Sequence, residues 1–329
     1  SRIKKGFKVI MEIKTLPQNI SDAAQRIGSY IRETPLEFSP YYSDISGAKV
    51  WLKLENLQIT GSFKARGAFN KVLLLNAEQK KRGCVTASSG NHGAASAYAM
   101  KELGVTGLVF VPEKTSSIKV EAIKRSGCEV RFFGKDGVDT ENYARQYAAE
   151  NKLTFLSPYN DKDVISGQGT CGKEIVNRLP KCDAVFIAVG GGGLISGVGA
   201  YMKSLLPDIE VIGCQPSASA VMAHSIKFGK IIDMPSEPTL SDGTAGGIEE
   251  GAITFDLCQK YVDHYELVSE QQIKESMRTF LDVHRMLIEG AAGVALAGFL
   301  ARKELYVGKE IAIVVCGGNI SRKTLGAVI

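Results

Sequence analysis

The sequence lacks any apolar run long enough to cross a membrane. Its longest apolar stretches, such as residues 184–189 and 311–315, fall far short of the roughly 20 residues that a membrane helix requires. The first ten residues also lack the apolar region of a signal peptide, and Met11 is a candidate natural start. The sequence therefore predicts a cytoplasmic protein with no membrane partner.

Closely spaced cysteine pairs are also absent. None of the seven cysteines belongs to a Cys-x-x-Cys pair, and the odd count argues against a complete disulfide framework. We expect buried thiols at Cys84, Cys128, Cys171, Cys182, Cys214, Cys258 and Cys316.

No strongly basic segment is present either. The formal net charge of +5 is spread along the chain, and the nearest approach to a basic cluster, residues 80–82, is typical of a solvated helix end. Nucleic-acid binding therefore has no particular support. Apolar residues make up 44% of the chain and charged residues 23%, which are ordinary values for a globular protein and argue against disorder.

The sequence does contain a repeated pattern of a short β-branched run, a Gly or Ser turn and an amphipathic helix. This alternation predicts an α/β fold with largely parallel sheets. The length of 329 residues suggests two domains, and two domains create a cleft. The predicted strands are 50–54, 84–87, 107–111, 129–133, 184–189, 211–214 and 311–315.

The first motif is GSFKARGA at residues 61–68, which follows a strand-like segment and opens a predicted helix through residue 73. A helix dipole disfavours a lysine at this position, so Lys64 invites a functional explanation. A desolvated lysine beside positive potential loses its proton more easily and can form a Schiff base. A surface lysine in a loop is the alternative, and Lys53 in the preceding strand is a competing candidate.

The second motif is SSGNHG at residues 88–93, between the strand 84–87 and a helix predicted at about 94–103. Its hydroxyls, amide and unpaired backbone N–H groups at a helix N-terminus suit a small carboxylate, such as that of an amino acid. A helix cap with a tight turn is the structural alternative, because Ser and Asn are preferred there.

The third motif is GGGGL at residues 190–194, directly after the strand 184–189. Successive glycines let backbone N–H groups converge on a phosphate. A dinucleotide fold needs G-x-G-x-x-G spacing and an acidic residue after the next strand, but Ser196 and Gln215 stand at those places. The G-x-x-x-x-G-K-[ST] motif of nucleoside-triphosphate binding is also absent, so the loop predicts a phosphate cup outside both classes.

The fourth motif is CGGN at residues 316–319, after the strand 311–315, with EGAAG upstream at 289–293. A thiol at the carboxyl end of a strand can meet the edge of a heteroaromatic ring. A buried core cysteine is the commoner role of such a residue, and only the four motifs together favour the first interpretation.

In this order, the four motifs resemble the fold-type-II pyridoxal-phosphate enzymes, which include threonine and serine dehydratases and serine racemase. The resemblance runs from IRETPL at residues 31–36 to Asn319. It implies pyridoxal 5'-phosphate as cofactor, an amino-acid substrate and a homodimer. It also implies two open, twisted, mainly parallel sheets flanked by helices, with the cofactor between a smaller α/β domain at 55–155 and a larger, cofactor-binding one at 11–54 plus 156–329.

The resemblance gives each motif a role. Lys64 would carry the cofactor, and Asn91 would hydrogen-bond its ring hydroxyl. The residues expected at the phosphate are Gly190, Gly191, Gly192, Gly193 and Leu194. The residues expected near the ring are Phe63, Gly243, Glu289 and Cys316. The residues expected at the substrate carboxylate are Ser88, Ser89, Gly90, Asn91 and His92.

By this resemblance Cys316 would face the pyridine nitrogen. A thiol with a reference pKa of roughly 8.5 cannot keep that nitrogen protonated as a carboxylate can, which favours loss of a β-leaving group. We therefore expect Lys64 to remove the α-proton of L-threonine, and of L-serine, giving a 2-oxo acid and ammonia. A bulkier β-hydroxy amino acid stays open, because residues 241–247 depart from the best-known dehydratases.

Serine racemase is the principal alternative. In the racemases a serine at the position of Ser89 acts on the face opposite to the lysine, whereas biosynthetic threonine dehydratases often carry alanine there. The racemases also have a divalent-cation site after a segment like residues 213–217, but this chain has Gln215 and Val221 where acidic ligands would fall. We therefore expect no metal site.

Three further expectations concern regulation, other classes and Glu289. Only about ten residues follow Asn319, so we expect no C-terminal regulatory domain and no allostery through one. A β-replacement synthase would need sulfide or a thiol for turnover. An idle cofactor-binding protein would need a lost lysine or a broken glycine loop, and neither is seen. Glu289 either sits by the ring or caps the following helix.

Overall fold

The computed structural model describes residues 2–329, with side chains from Lys14 onward. The strands are β1 (Leu36–Phe38), β2 (Lys49–Leu54), β3 (Cys84–Ala87), β4 (Gly107–Val111), β5 (Glu129–Phe132), β6 (Thr154–Phe155), β7 (Ala184–Ala188), β8 (Glu210–Pro216), β9 (His264–Val268) and β10 (Glu310–Val315). All seven predicted strands are confirmed, each within two residues at either end.

Helices alternate with the strands along most of the chain. They are α1 (Arg2–Ile27), α2 (Pro40–Ser46), α3 (Lys64–Leu73), α4 (Ala77–Arg82), α5 (Asn91–Glu102), α6 (Ser117–Arg125), α7 (Gly137–Glu150), α8 (Lys162–Arg178), α9 (Gly193–Leu205), α10 (Val221–Phe228), α11 (Ile253–Tyr261), α12 (Glu270–His284), α13 (Gly290–Arg302) and α14 (Arg322–Val328). None of these helices, within the part of the chain described, is long and apolar enough to cross a membrane.

The strands form two sheets. The larger has the order β1-β2-β10-β7-β8-β9, in which only the β1–β2 pair is antiparallel. The smaller has the order β5-β4-β3-β6, and all of its pairs are parallel. The predicted α/β fold with mainly parallel sheets is therefore confirmed. The boundaries of the two predicted domains stay a prediction.

Three strands were not predicted, because each gives a weak signal in the sequence. β1 and β6 contain three and two residues, too few to show a period. β9 is an edge strand with a mostly half-buried polar and apolar mixture, and it pairs only with β8. Tertiary pairing, not local propensity, makes these segments extended.

The centre of the larger sheet forms the main core. Every residue of β7 is buried, and β10 is buried from Ile311 to Val315, because helices cover both faces of a parallel sheet. Helix α13 is rich in Ala and Gly and packs closely on β7, β8, β9 and β10. All seven cysteines are free and buried, as predicted.

The parallel strands bring three of the motifs to strand ends. The second motif follows β3, the glycine loop follows β7, and the fourth motif follows β10. The carboxyl ends of parallel strands are the usual location of ligand sites in open α/β sheets. The first motif joins them through the start of α3.

Candidate active site

Lys64 is the first residue of α3, and its amine contacts a neutral backbone group. The amine donates a hydrogen bond to the Pro158 carbonyl oxygen at 2.8 Å. Burial lowers the pKa of Lys64 to about 8, although nearby acidic groups, Glu289 and Glu141 among them, partly oppose this shift. Roughly a tenth of the amine is therefore uncharged at pH 7, far more than for an ordinary lysine, and the uncharged form is the one that a nucleophile or base requires.

The competing candidate, Lys53, lies in a buried ion network. Its amine donates to the Thr34 carbonyl oxygen at 2.7 Å and to Glu174 at 2.5 Å. Glu174 also pairs with Arg66, whose guanidinium binds the fully buried Glu55 at 2.7 Å. These charges satisfy one another inside the fold, so the amine of Lys53 is already committed.

The first and fourth motifs are joined by backbone hydrogen bonds. The N–H of Phe63 donates to the Cys316 carbonyl oxygen at 3.1 Å, and the N–H of Gly318 donates to Gly61 at 2.9 Å. The Cys316 thiol therefore lies near Lys64 at the end of β10. It is only 2% exposed, and burial raises its pKa well above the ordinary value, so the thiol stays protonated.

Glu289 lies at the centre of a polar cluster between the second and fourth motifs. Its carboxylate accepts from Asn91 Nδ2 at 2.9 and 3.0 Å and from the Asn319 N–H at 3.1 Å. The Asn319 amide in turn donates to Asn91 Oδ1 at 2.7 Å. Burial, the largest effect, raises the pKa of Glu289 to about 7. Glu289 occupies the N-cap position of α13, as the structural alternative expects, but its side chain makes no capping bond there and points instead to Asn91 and Asn319.

The second motif forms the turn between β3 and α5. Helix α5 begins at Asn91, three residues before the predicted start, so the backbone N–H groups of the helix N-terminus lie within the motif. Ser88 Oγ accepts from the Gly90 N–H at 3.1 Å, and Ser89 is partly exposed beside it. This arrangement can receive a carboxylate.

His92 has a different environment from the rest of the second motif. Its imidazole is buried and contacts the Leu156 carbonyl oxygen at 2.8 Å through Nε2. Burial and then the positive charge of Lys64 lower the pKa of His92 to about 3, so the ring is neutral. The side chain supports the turn from behind, and only the backbone of His92 belongs to the helix N-terminus.

The glycine loop connects β7 to α9 and uses backbone shapes that need glycine. Gly192 has a φ of 89°, in the left-handed region, and precedes the first residue of α9. A side chain on Gly191 would overlap the ring of Tyr159. Leu194, in the first turn of α9, is buried in the main core. The loop therefore presents a helix N-terminus suited to an anion.

The segment 241–247 lies between the glycine loop and Glu289. A Cβ added to Gly190 would come within 3.1 Å of Thr244 Cα, and one added to Gly243 within 3.6 Å of Glu289 Oε1. Gly243 is thus brought to the same site as the other predicted residues.

Gln215 and Val221 stand where the divalent-cation site of the racemases would have acidic ligands. Gln215 Nε2 donates to the Val189 carbonyl oxygen at 2.9 Å, and its Oε1 accepts from the Ala223 N–H at 2.8 Å. The buried Gln215 amide therefore links Val189, just before the glycine loop, to helix α10. Val221 is also buried. No cluster of three or more potential metal ligands occurs among the residues from Lys14 onward.

Two residues of the site are not indicated by any sequence motif. Pro158 supplies the carbonyl that accepts from Lys64, and Tyr159 packs on the glycine loop. Both lie in the turn 157–161 between β6 and α8, which carries no recognisable motif. The fourth motif includes Asn319, but the sequence gives no indication that this residue contacts Asn91.

The donor set fits a cofactor with an aldehyde, an aromatic ring and a phosphate. The Lys64 amine suits the aldehyde, and the Phe63 ring centroid lies 5.3 Å from that amine. The α9 N-terminus with its glycine loop suits the phosphate, and the neutral Cys316 thiol suits a ring edge. Gly191 has no room for a side chain because the Tyr159 ring occupies that space, so the loop offers its backbone to a bound group without side-chain obstruction.

Comparisons with known proteins agree with this geometry. A family profile described as pyridoxal-phosphate dependent enzyme matches residues 27–317. The L-threonine ammonia-lyase of Thermotoga maritima is 36% identical over 312 residues, which cover 95% of this chain and 77% of that protein.

Solved structures show the same fold. The processed form of threonine deaminase isoform 2 from Solanum lycopersicum has a TM-score of 0.91 at 33% identity, covering 96% of this chain and 92% of that one. Maize serine racemase has a TM-score of 0.89 at 32% identity, covering 94% of this chain and 95% of that one.

Proposed function

Because the chain belongs to the family of pyridoxal-phosphate dependent enzymes, we propose that it is an ammonia-lyase that converts L-threonine, and also L-serine, to a 2-oxo acid and ammonia. The observation that carries the proposal is that the Lys64 amine and the Cys316 thiol lie in one buried site. A lysine amine with a pKa of about 8 lies near a thiol that stays protonated, and this combination suits removal of an α-proton followed by elimination.

The described residues would hold the cofactor at three points. Gly190–Leu194 at the start of α9 would bind its phosphate, Phe63 would flank its ring and Lys64 would attach to it covalently. When bound, pyridoxal phosphate supplies an electron sink that acidifies the α-proton of an amino acid. Cys316 would offer the ring nitrogen only a neutral thiol, which limits that sink and favours early departure of the β-hydroxyl.

Lys64 would be the base that handles the α-proton, once the amino group of the substrate has replaced the Lys64 amine on the cofactor and left that amine free. Its amine is partly uncharged near neutral pH, and the Pro158 carbonyl at 2.8 Å would orient it. The carbonyl accepts a hydrogen bond from the amine in either charge state, so it holds Nζ without fixing its protonation. The substrate carboxylate would be held by Ser88, Ser89 and the N-terminus of α5.

Glu289 and Asn91 would complete the site as a coupled pair. The Glu289 carboxylate accepts from Asn91, and its pKa of about 7 allows it to hold or release a proton at working pH. We propose that Glu289 orients the Asn91 amide, whose Nδ2 would be the group offered to the ring hydroxyl.

The proposal is tested by incubating the purified holoenzyme with L-threonine, L-serine and a β-aryl serine. We expect 2-oxo acid and ammonia in equal amounts from threonine and serine, with Lys64→Ala inactive. Following chirality in the same samples separates the main alternative. Rapid D-serine formation with little oxo acid would overturn the proposal.

Racemisation remains the second candidate because Ser89 is a partly exposed hydroxyl in the turn after β3. A racemase needs a second proton-carrying group on the face opposite to the lysine, and Ser89 is the residue offered. If racemisation occurs, Ser89→Ala should abolish D-serine formation and lower oxo-acid formation far less, by the loss of one carboxylate contact. Equal loss of both activities would argue that Ser89 only binds the carboxylate.

Three family expectations accompany the proposal. We propose two domains at residues 55–155 and 11–54 plus 156–329, a homodimer, and a cytoplasmic location. Light scattering of the holoenzyme tests the dimer, and limited proteolysis near residues 55 and 155 tests the domains.

A further inference from the structure

We propose that Tyr159 is a positioning residue, which fixes the Lys64 amine relative to the glycine loop and holds residues 249–253 against both. This role concerns how the site is assembled, and it rests on the proposed function only in that both use Lys64 and the glycine loop. The contacts that carry it come from one turn, residues 157–160, between β6 and α8.

The turn is held by its own side chain–backbone bond. Ser157 Oγ accepts from the Asn160 N–H at 3.0 Å, which closes the four residues into a compact shape. The hydroxyl of Ser157 is buried along with most of the residue. The peptide unit between Pro158 and Tyr159 therefore has a defined orientation.

The two residues joined by this peptide unit contact both the lysine and the glycine loop. Its carbonyl oxygen accepts from Lys64 Nζ at 2.8 Å. The Tyr159 ring packs over Gly191, and a Cβ on Gly193 would come within 3.2 Å of Tyr159 Cα. A shift of Tyr159 would move the carbonyl that orients the amine, so the ring links the position of the lysine to that of the loop.

The Tyr159 hydroxyl adds a third connection. It accepts from the Glu249 N–H at 2.8 Å, and the neighbouring Asn160 Oδ1 accepts from the Ile253 N–H at 2.9 Å at the start of α11. Burial raises the pKa of Tyr159 to about 12, so the hydroxyl stays protonated. The segment before α11 is thus attached to the same turn.

An ion pair extends this connection to α7. Arg145 contacts Glu249 at 3.1 Å and Glu141 at 2.8 Å, and its guanidinium lies 4.3 Å from the centroid of the Phe155 ring. Helix α7 packs on the smaller sheet, whereas α11 packs on α9 after the larger sheet's glycine loop. Tyr159 therefore lies between α7, which packs on the smaller sheet, and α11, which packs on α9.

Tyr159→Phe separates positioning from simple packing, because it keeps the ring and removes only the hydroxyl. The Glu249 N–H loses its acceptor, and we expect its hydrogen exchange in the apo-protein to rise at least about tenfold. We also expect pyridoxal phosphate to bind the apo-protein about five- to tenfold more weakly, the effect of one hydrogen bond. In the holoenzyme, kcat should fall while KM for threonine changes less than twofold.

Two other variants make the test specific. Tyr147→Phe is the matched control, since that hydroxyl accepts from Arg131 at 2.9 Å on the outer side of α7, and it should behave as wild type in all assays. Arg145→Gln keeps Tyr159 intact and breaks the next contact, so exchange at residues 245–252 should rise with a smaller loss of cofactor affinity.

The outcomes are distinct. If Tyr159→Phe matches wild type in exchange and cofactor affinity while Tyr159→Leu is weakened, the ring only fills space and the proposal is overturned. If exchange and affinity change as expected but threonine is not turned over, the positioning role stands and the proposed reaction fails. The first two measurements need no substrate, which keeps the two failures apart.

Discussion

At the scale of single residues, the site depends on burial that shifts two pKa values in opposite directions. Burial disfavours the charged form of each group, so it lowers the pKa of the Lys64 amine and raises that of the Glu289 carboxyl. The shifts bring both groups close to neutral pH, to about 8 and about 7. Groups tuned in this way are typical of catalytic sites.

The Lys64 pKa predicts how the apo-protein captures its cofactor. Only the uncharged amine attacks an aldehyde, so the rate of attachment of pyridoxal phosphate should rise about tenfold per pH unit below about 8 and level off above it. Stopped-flow absorbance of apo-protein mixed with cofactor between pH 6 and 9.5 measures this rate. A plateau reached only near pH 10 would mean that burial does not shift this amine.

The Glu289 pKa predicts a pH-dependent stability. Between about 4.5 and about 7 the folded chain binds more protons at Glu289 than the unfolded chain, so the free energy of unfolding falls as pH rises through this window. Glu289→Gln removes this slope, and its stability relative to wild type should improve by on the order of 2 kcal/mol between pH 5 and 7.5. Urea unfolding of both apo-proteins measures the difference. Parallel pH profiles would contradict the prediction.

At the scale of elements, the glycine loop and the turn 157–160 form one packed unit. The ring of Tyr159 occupies the space that a side chain on Gly191 would need. Gly137, at the start of α7, has no neighbour within 4 Å of an added Cβ and does not have the left-handed φ that favours glycine. The two glycines therefore differ in what surrounds them.

This difference gives a matched pair of variants. Gly191→Ala should lower the free energy of unfolding by about 1 to 3 kcal/mol through overpacking, and it should weaken cofactor binding at least tenfold because Tyr159 must move. Gly137→Ala should leave cofactor binding within error of wild type and raise the free energy of unfolding by at most about 1 kcal/mol. Thermal unfolding and cofactor titration of the apo-proteins measure them. If both variants bind cofactor normally, the loop tolerates displacement of the ring.

At the scale of the whole molecule, several acidic groups lie in and around the site. Glu289 lies within it, Glu141 contributes negative potential at Lys64, and the Arg145 guanidinium is already paired with Glu141 and Glu249. The formal net charge of +5 therefore describes the whole chain and does not predict the charge around the site.

This charge distribution predicts a preference among substrates. A β-hydroxy amino acid with a second carboxylate, such as 3-hydroxyaspartate, would meet uncompensated negative charge, so its kcat/KM should be at least tenfold below that of threonine at low salt. Steady-state assays with both substrates at 20 and 200 mM salt test this. Equal values at low salt would contradict the prediction.

How much could be predicted depended on how local each feature is. The strands before the motifs and the start of α3 at Lys64 were predicted well, because apolar runs and glycine turns are written in consecutive residues. Helix α5 begins at Asn91, three residues before the predicted start, and the Asn91 side chain binds Glu289 and does not cap the helix. That contact joins residues 198 positions apart, so no local pattern reveals it.

The chemical class of this protein follows from its sequence alone. Lys64 after a strand, a run of four glycines and the order of four motifs indicated the cofactor family, because each depends on backbone geometry that adjacent residues set. Only the tertiary structure decided which groups surround the lysine. Folding brings distant segments to this lysine, among them the Pro158 carbonyl and the polar cluster around Glu289. Their burial is a property of the whole fold and not of any one segment, and it sets the pKa values of Lys64 and Glu289 on which the reaction depends.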